Sequence, residues 1–157
     1  MPPYPQSGIF SLLYRKYKIL WVEDSEDDVL LFDATLRRTG LRESFEITQF
    51  STGEQAIEYF TQPTPSNTPT WPDIVLLDIK LPGLSGLEIL PAVRQQHPQA
   101  VLAMFTTSNM PEEKERAIEL GADVFQTKTF EPADFSRFLQ LLSELVEQRR
   151  PNGHAAE

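Results

Sequence analysis

Residues 73–78 have the sequence DIVLLD, in which four consecutive apolar residues lead to an acid, Asp78. A short apolar run bounded by polar residues is typical of a buried β-strand. The same pattern occurs near the start of the chain, where KILWV at 18–22 is followed by Glu23 and Asp24. Three further stretches have strand character: FEITQF at 45–50, AVLAMFT at 100–106 and DVFQT at 123–127. The sequence therefore predicts five strands.

Helical patterns separate these strands. Ser25 is a candidate N-cap for the first helix, because three acids follow it where the helix dipole favours them, and Gly40 is a candidate C-cap. The second and third helices are predicted at 54–60 and 87–96, and Pro91 fits the latter only if it lies in the first turn.

The last two helices are predicted from residues whose spacing places them on one helical face. The fourth helix is predicted to end at Gly121. One of its faces is lined by Met110, Lys114, Ala117, Ile118 and Gly121. The fifth helix has apolar residues with i, i+3, i+4 spacing: Phe135, Phe138, Leu139, Leu142, Leu145 and Val146. Five strands that alternate with five helices indicate an α/β fold with a doubly wound parallel sheet.

Length and composition exclude several classes of protein. The 157 residues are 40% hydrophobic and 24% charged, which is ordinary for one globular domain. The net charge of −9 argues against binding to nucleic acids or to anionic membrane surfaces. The chain has no cysteine and no apolar run near the roughly 18 residues of a membrane span. Its first basic residues follow an apolar stretch, the reverse of a secretory signal, so we expect a cytoplasmic protein.

The chain divides into three predicted parts. Residues 1–17 begin with three prolines in five positions and form an N-terminal extension, either an extra turn that packs on the domain or a segment that docks a partner. Residues 18–148 form the domain, and 149–157 form a disordered tail. Within the domain, residues 62–72 contain four prolines and no periodicity, so we expect a long loop.

Polar residues follow four of the predicted strands. They are Glu23 and Asp24 after the first, Asp78 after the third, Thr106 and Thr107 at the end of the fourth, and Thr127 and Lys128 at the end of the fifth. In a parallel sheet these ends lie at one edge, where ligands bind. Close carboxylates repel one another unless a proton or a cation lies between them, and oxygen ligands suit Mg²⁺. Each residue alone has an ordinary interpretation as a cap, a turn or a surface residue, but together they predict a phosphoryl site that requires a metal.

Four segments carry a resemblance to a known family: ILWVEDSEDDVLL, PDIVLLDIKLPGLSGLEIL, FTTSNMPEEKERAIELGADVF and TK. Over roughly 18–146 the chain resembles a bacterial response-regulator receiver domain. The resemblance implies a flavodoxin-like (βα)5 fold and a phosphoacceptor in a two-component phosphorelay, not an enzyme with a separate substrate. It implies that Asp78 accepts the phosphoryl group from a sensor histidine kinase.

The resemblance also implies roles for the neighbours of Asp78. Asp24, Asp78 and the carbonyl of Lys80 would bind Mg²⁺, and Glu23 would reach the metal through water. Thr106 would donate a hydrogen bond to the phosphoryl oxygens, and Lys128 would form an ion pair with them. These roles agree with the chemistry of an aspartyl phosphate, in which cations offset charge on the transferred group.

The same resemblance implies a switch and an output surface. Thr106 would move toward the phosphoryl group, and Phe125 would fill the vacated space, although a buried Phe on a fifth strand is also ordinary core. The output surface would be the fourth helix, the fifth strand and the fifth helix, which would form a homodimer. Because only QRRPNGHAAE follows the last helix, we expect a stand-alone receiver whose output is a protein contact. The fourth strand and the long loop resemble receivers that are partnered with bacterial phytochrome-type kinases.

Thr129 departs from the family pattern, which usually has Pro after the lysine. A cis bond before a residue other than proline costs about 3 kcal/mol, so we expect a trans bond and an altered reach of Lys128. This departure motivates a second hypothesis, a pseudo-receiver that docks its partner without phosphorylation. A third hypothesis, a phosphatase of the haloacid-dehalogenase type, requires Asp-x-Asp after the first strand, whereas Ser25 and Glu26 follow Asp24.

Overall fold

The computed structural model describes residues 16–62 and 71–150. Its strands are β1 (Tyr17–Val22), β2 (Phe45–Phe50), β3 (Ile74–Leu77), β4 (Val101–Thr106) and β5 (Val124–Thr127). Its helices are α1 (Glu26–Arg38), α2 (Gly53–Thr61), α3 (Gly86–Gln96), α4 (Pro111–Glu119) and α5 (Pro132–Arg149), and a short 3-10 turn spans Arg42–Ser44. None of the helices in these ranges is long and apolar enough to cross a membrane.

The five strands form one parallel sheet in the order β2-β1-β3-β4-β5. Val22, the last residue of β1, is aligned with Phe50 on one side and with Leu77 on the other. The order of the strands therefore reverses at β1, between β2 and β3. The predicted five-stranded, doubly wound α/β fold is confirmed, and its ligand crevice is expected at this point of reversal.

Both faces of the sheet are buried, which explains why the central strands are apolar without alternation. On one face Ile19 and Trp21 of β1 pack with α1 and α5 residues such as Phe32 and Phe135. On the other face Leu20 and Val22 belong to a second cluster. That cluster includes residues of the other three helices: Ala56, Phe60, Ile89, Leu90, Val93 and Ala117. Successive residues of one strand thus serve two cores.

Side-chain caps fix where the helices begin. The hydroxyl of Ser25 accepts a hydrogen bond from the backbone N–H of Asp28 at 3.2 Å, so the predicted N-cap of α1 is confirmed. Gly40, just past the end of that helix, has a φ of +78°, which favours glycine. Thr52 with Gln55 and Ser85 with Glu88 form reciprocal capping boxes at α2 and α3.

The structure corrects the sequence predictions for the start of β1, for Pro91 in α3 and for α4. Tyr17 belongs to β1 and not to the extension, because its ring is buried and its hydroxyl donates to Glu147. Pro91 lies in the second turn of α3, where its exposed ring packs into no core. Helix α4 ends at Glu119 and not at Gly121, and on its predicted face only Ala117 is buried, whereas Met110 and Ile118 are exposed.

Asp123, just before β5, joins α3 and α5 to the edge of the sheet opposite the predicted site. Its Oδ2 accepts hydrogen bonds from Arg94 at 2.8 Å and from Arg149 at 2.9 Å. Burial raises the pKa of Asp123, but hydrogen bonds to Arg149, the Leu102 backbone and Arg94 outweigh it and lower the pKa. Arg149, which was assigned to the disordered tail, is the last residue of α5 and not part of a tail.

Gly86 allows α3 to approach the end of β3. A β-carbon at this position would lie 2.0 Å from the carbonyl oxygen of Asp78 and 2.8 Å from its carbonyl carbon. Both obstacles are backbone atoms, which a side-chain rotation cannot move. The glycine thus positions the backbone of Asp78 against the first residue of the helix.

We expect Gly86→Ala to lower the free energy of unfolding by about 3 kcal/mol, because the new methyl group must displace backbone. Gly40→Ala is the matched control. A β-carbon there meets nothing within 4 Å, and only the positive φ resists it, so we expect a loss of about 1 kcal/mol. Urea unfolding of the two variants and the wild type measures both values. Equal losses in the two variants would contradict the close approach.

Candidate functional site

The carboxyl ends of β1, β3, β4 and β5 bring together the polar residues that the sequence singled out. Backbone hydrogen bonds between neighbouring strand ends place these polar residues next to one another. The N–H of Asp78 donates to the carbonyl of Val22 at 3.3 Å, and the N–H of Lys128 donates to the carbonyl of Thr106 at 2.7 Å. Glu23 and Asp24 follow β1 directly, beside Asp78. The predicted convergence of these strand ends is confirmed.

Lys128 lies at the centre of this group. Its Nζ is 2.7 Å from Glu23 Oε1, 2.6 Å from Asp28 Oδ2 and 3.0 Å from Asp78 Oδ2. Its side chain is only 7% exposed. Burial lowers the pKa of Lys128, but the contacts with Asp28, Glu23 and Asp78 outweigh it and raise the pKa well above its ordinary value. The lysine is therefore a fixed positive charge in contact with Asp78.

Glu23, Asp24 and Asp78 form a cluster that could hold a metal ion. One carboxylate oxygen of each lies within 4.8 Å of the others. Asp24 is exposed, whereas Glu23 and Asp78 are 1% and 5% exposed. Burial raises the pKa of Glu23, the nearby Asp78 charge adds to this, and contacts with Lys128 and the Ser25 N–H oppose it. Two buried carboxylates and one open to solvent make a suitable oxygen donor set for a hard divalent cation.

Lys80 enters the site through its backbone. Its N–H donates to Asp78 Oδ1 at 3.3 Å, while its side chain is exposed. The two oxygens of Asp78 therefore have different partners, since Oδ2 faces Lys128. The proposed metal contact of the Lys80 carbonyl stays a prediction.

Thr106 closes β4 with a fully buried side chain. Its Oγ1 accepts a hydrogen bond from the Ser108 N–H at 3.3 Å. Ser108 is itself buried, and its hydroxyl donates to Glu113 in the first turn of α4. Thr107, by contrast, is exposed. Thr106 is thus linked through Ser108 to the start of α4.

Phe125 lies on the same face of the sheet as Thr106. It is aligned with Met104, which lies two residues before Thr106 on β4. Its ring is half-buried and packs against the second core cluster. The ring contributes to the core in the ordinary way, and its predicted movement toward Thr106 stays a prediction.

The bond between Lys128 and Thr129 is trans, since no described peptide bond is cis. Even so, the ammonium group of Lys128 reaches Asp78. The expectation of a trans bond is confirmed, and an altered reach of Lys128 stays a prediction, although the trans bond does not prevent its contact with Asp78. Thr129 Oγ1 accepts a hydrogen bond from the Glu131 N–H at 3.3 Å, so this residue helps to turn the chain into α5.

Asp28 is the member of the site that the sequence analysis missed. It was assigned only to the favourable charge at the start of α1, yet its Oδ2 makes the shortest of the three contacts to Lys128. A short acidic run after the first strand was the only signal in the sequence. The contact itself joins residues 100 positions apart, which only the fold brings together.

Two comparisons of structure find the same fold elsewhere. The Mn²⁺-bound response regulator Rcp1 is 27% identical, with a TM-score of 0.62 over 79% of this chain and 89% of that one. The phosphorylated cyanobacterial phytochrome response regulator RcpA has a TM-score of 0.66 over 82% of this chain and 92% of that one. At 22% identity, its likeness is one of fold.

Comparison of sequences shows the family to which the chain belongs. The transcriptional regulatory protein PhoP of Bacillus subtilis is 30% identical over 135 residues, which are 86% of this chain and 52% of PhoP. The chain therefore spans about half the length of this curated relative. Residues 19–140 match the family model of the response regulator receiver domain. With the five-stranded sheet and the acidic strand ends, this match shows that the chain belongs to the response regulator receiver domain family.

Proposed function

We propose that Asp78 is the phosphoacceptor of this receiver domain and takes its phosphoryl group from a sensor histidine kinase. One observation carries the proposal: Asp78 is in contact with the Lys128 ammonium and also belongs to the Glu23–Asp24–Asp78 carboxylate cluster. A carboxylate between a fixed cation and a metal-capable donor set is equipped to receive an anionic group.

The proposed reaction forms one bond and breaks one bond. A carboxylate oxygen of Asp78 attacks phosphorus, and the bond from phosphorus to the donor's histidine nitrogen breaks. The electron pair of that bond stays with the nitrogen, and the product on Asp78 is an acyl phosphate. The Lys128 ammonium, already 3.0 Å from Asp78 Oδ2, lies where charge on the transferred oxygens develops.

Mg²⁺ is the cofactor that this donor set fits. Asp24, Asp78 and the Lys80 carbonyl would bind it directly, and Glu23 would bind it through water. The raised pKa of the buried Glu23 beside Asp78 supports this assignment, because a nearby cation relieves the repulsion of close carboxylates. Bound Mg²⁺ would offset negative charge on the phosphoryl oxygens.

Labelling of Asp78 tests the proposal. With Mg²⁺ and acetyl phosphate, we expect wild-type protein to gain one phosphoryl group, and Asp78→Asn to gain none, because an amide cannot form the acyl phosphate. Intact-protein mass spectrometry measures the gain. Asp27→Asn, an exposed acid of α1, is the matched control and keeps wild-type labelling. Chelation of Mg²⁺ abolishes it. Labelling of Asp78→Asn at the wild-type level would refute the assignment.

A pseudo-receiver stays the alternative, motivated by Thr129. The contact of Lys128 with Asp78 despite the trans bond favours the phosphoacceptor instead. The alternatives differ in one measurement. If wild type and Asp78→Asn bind the partner kinase equally and neither is labelled, the chain is a docking module.

The kinase would approach along α1, where apolar side chains are exposed next to the site. Leu30 is 69% exposed and Leu31 is 47% exposed. Leu30 also lines a cavity of about 290 Å³ together with Glu23 and Asp24. A bacteriophytochrome is the kinase that the resemblance of the fourth strand and the long loop favours.

We expect Leu30→Ala to slow phosphotransfer from the kinase by about tenfold, because it removes apolar contact area at an interface. Its labelling by acetyl phosphate stays at the wild-type rate, since the carboxylates and Lys128 are unchanged. A panel of purified histidine kinases that includes bacteriophytochromes supplies the donors. Leu141→Ala, an equally conservative change on α5, is the control. Equal kinase rates for the two variants would exclude α1 as the docking surface.

The proposed output is a change of shape at α4, β5 and α5. Thr106 would turn toward the phosphoryl group and release the Ser108 N–H, and Phe125 would move into the freed space. The link from Thr106 through Ser108 to Glu113 supports this route to α4. Apolar side chains are exposed at Met110, just before α4, at Ile118 on α4 and at Leu141 on α5, which supports a homodimer at this surface.

Sedimentation tests this output. With Mg²⁺ and beryllofluoride, which mimics the phosphoryl group, we expect the dimer dissociation constant to fall by about tenfold, a typical coupling between sites. Ile118→Glu would remove the effect by placing a charge in the interface, while beryllofluoride still binds Asp78. An unchanged dissociation constant in wild type would refute the dimer.

A further inference from the structure

We infer that Asp28 is a positioning residue that anchors the Lys128 ammonium for phosphoryl transfer. The inference rests on the proposed function and extends it to a residue that contacts neither Asp78 nor the metal-capable cluster. Asp28 Oδ2 lies 2.6 Å from Lys128 Nζ, closer than Glu23 at 2.7 Å or Asp78 at 3.0 Å. The side chain of Asp28 is 22% exposed, and that of Lys128 is 7% exposed.

Three carboxylates surround the ammonium group of the lysine. Of its three N–H donors, one donates a hydrogen bond to Asp28 and one to Asp78, and Glu23 forms an ion pair with the same nitrogen. Two of these carboxylates, Glu23 and Asp78, also belong to the cluster that could hold a metal. A cation bound there would compete for their oxygens. Asp28 lies outside that cluster, so its contact with Lys128 persists when the metal site is filled.

Asp28 is also held independently of Lys128. It is in the first turn of α1, and its backbone N–H donates to the capping hydroxyl of Ser25 at 3.2 Å. The capped helix therefore fixes the carboxylate relative to the end of β1. Lysine has four rotatable bonds and loses considerable side-chain entropy when it is fixed. A rigid partner on α1 offsets this cost before the phosphodonor arrives.

Phosphorylation of Asp78 would change the partner of the Lys128 N–H that donates to the Asp78 carboxylate. When Asp78 carries a phosphoryl group, that N–H turns from the Asp78 carboxylate to the new phosphoryl oxygens. The contact with Asp28 keeps the nitrogen in place during this exchange. Asp28 thus acts through Lys128, and it forms and breaks no bond to phosphorus.

Labelling rates of Asp28→Asn and Asp27→Asn test the inference. Both substitutions remove one negative charge from the same helical turn, but Asp27 is exposed and is not among the partners of Lys128. With Mg²⁺ and acetyl phosphate, we expect Asp28→Asn to be labelled about tenfold more slowly than Asp27→Asn, a typical effect of losing a hydrogen bond between charged groups. Circular dichroism verifies that both variants are folded. Equal rates would overturn the inference.

The ammonium resonance of Lys128 provides a readout that does not require phosphorylation. Buried, hydrogen-bonded ammonium groups exchange slowly enough to give a ¹H–¹⁵N signal. We expect this signal in wild type and Asp27→Asn, assigned by its absence in Lys128→Met, and its loss in Asp28→Asn. An unchanged signal in Asp28→Asn would overturn the anchor. Failure of wild type to be labelled would instead contradict the proposed function, and the resonance would still decide whether Asp28 holds the lysine.

Discussion

The ion contacts of Lys128 are the constraint on which the site depends. Glu23, Asp28 and Asp78 each place an oxygen within 3.0 Å of one ammonium group, in a region that solvent barely reaches. Removing one partner from a buried ion pair typically costs about 3–5 kcal/mol, because the other charge is left uncompensated. Without the lysine, the two most buried acids would have to be protonated or separated. The lysine therefore permits an acidic cluster at the edge of an apolar sheet.

The edge where this cluster lies follows from the way the sheet is buried. The central strands are covered on both faces, so their side chains are apolar and their ends are the first places where polar groups reach solvent. All five strands are parallel, and all of these ends lie on one side. The order of strands reverses at β1, which leaves a crevice beside Glu23 and Asp24. Gly86 completes the geometry because it lets α3 begin against the backbone of Asp78.

Sequence reasoning succeeded where the pattern is local. The apolar runs that end at Val22, Leu77 and Thr106 predicted strands, and Ser25 predicted the start of α1. It failed where exposure depends on packing. Met110 and Ile118 have helical spacing suited to a core, yet they are exposed, because Ala117 is the one residue of α4 whose side chain is buried. Arg149 was assigned to a polar tail, yet it is the last residue of α5, and its side chain contacts Asp123.

By itself, the sequence determined the class of fold and the identity of the strand-end residues, because hydrophobic periodicity and capping are properties of neighbouring residues. It also determined that Asp78, Thr106 and Lys128 end separate strands. Only the tertiary structure decided which of these charges touch. The contact of Asp28 with Lys128, and the reach of Lys128 to Asp78 across a trans bond, join residues that are 100 and 50 positions apart. Ion contacts act over a few ångströms in space, and they produce no repeating pattern of residues along the sequence.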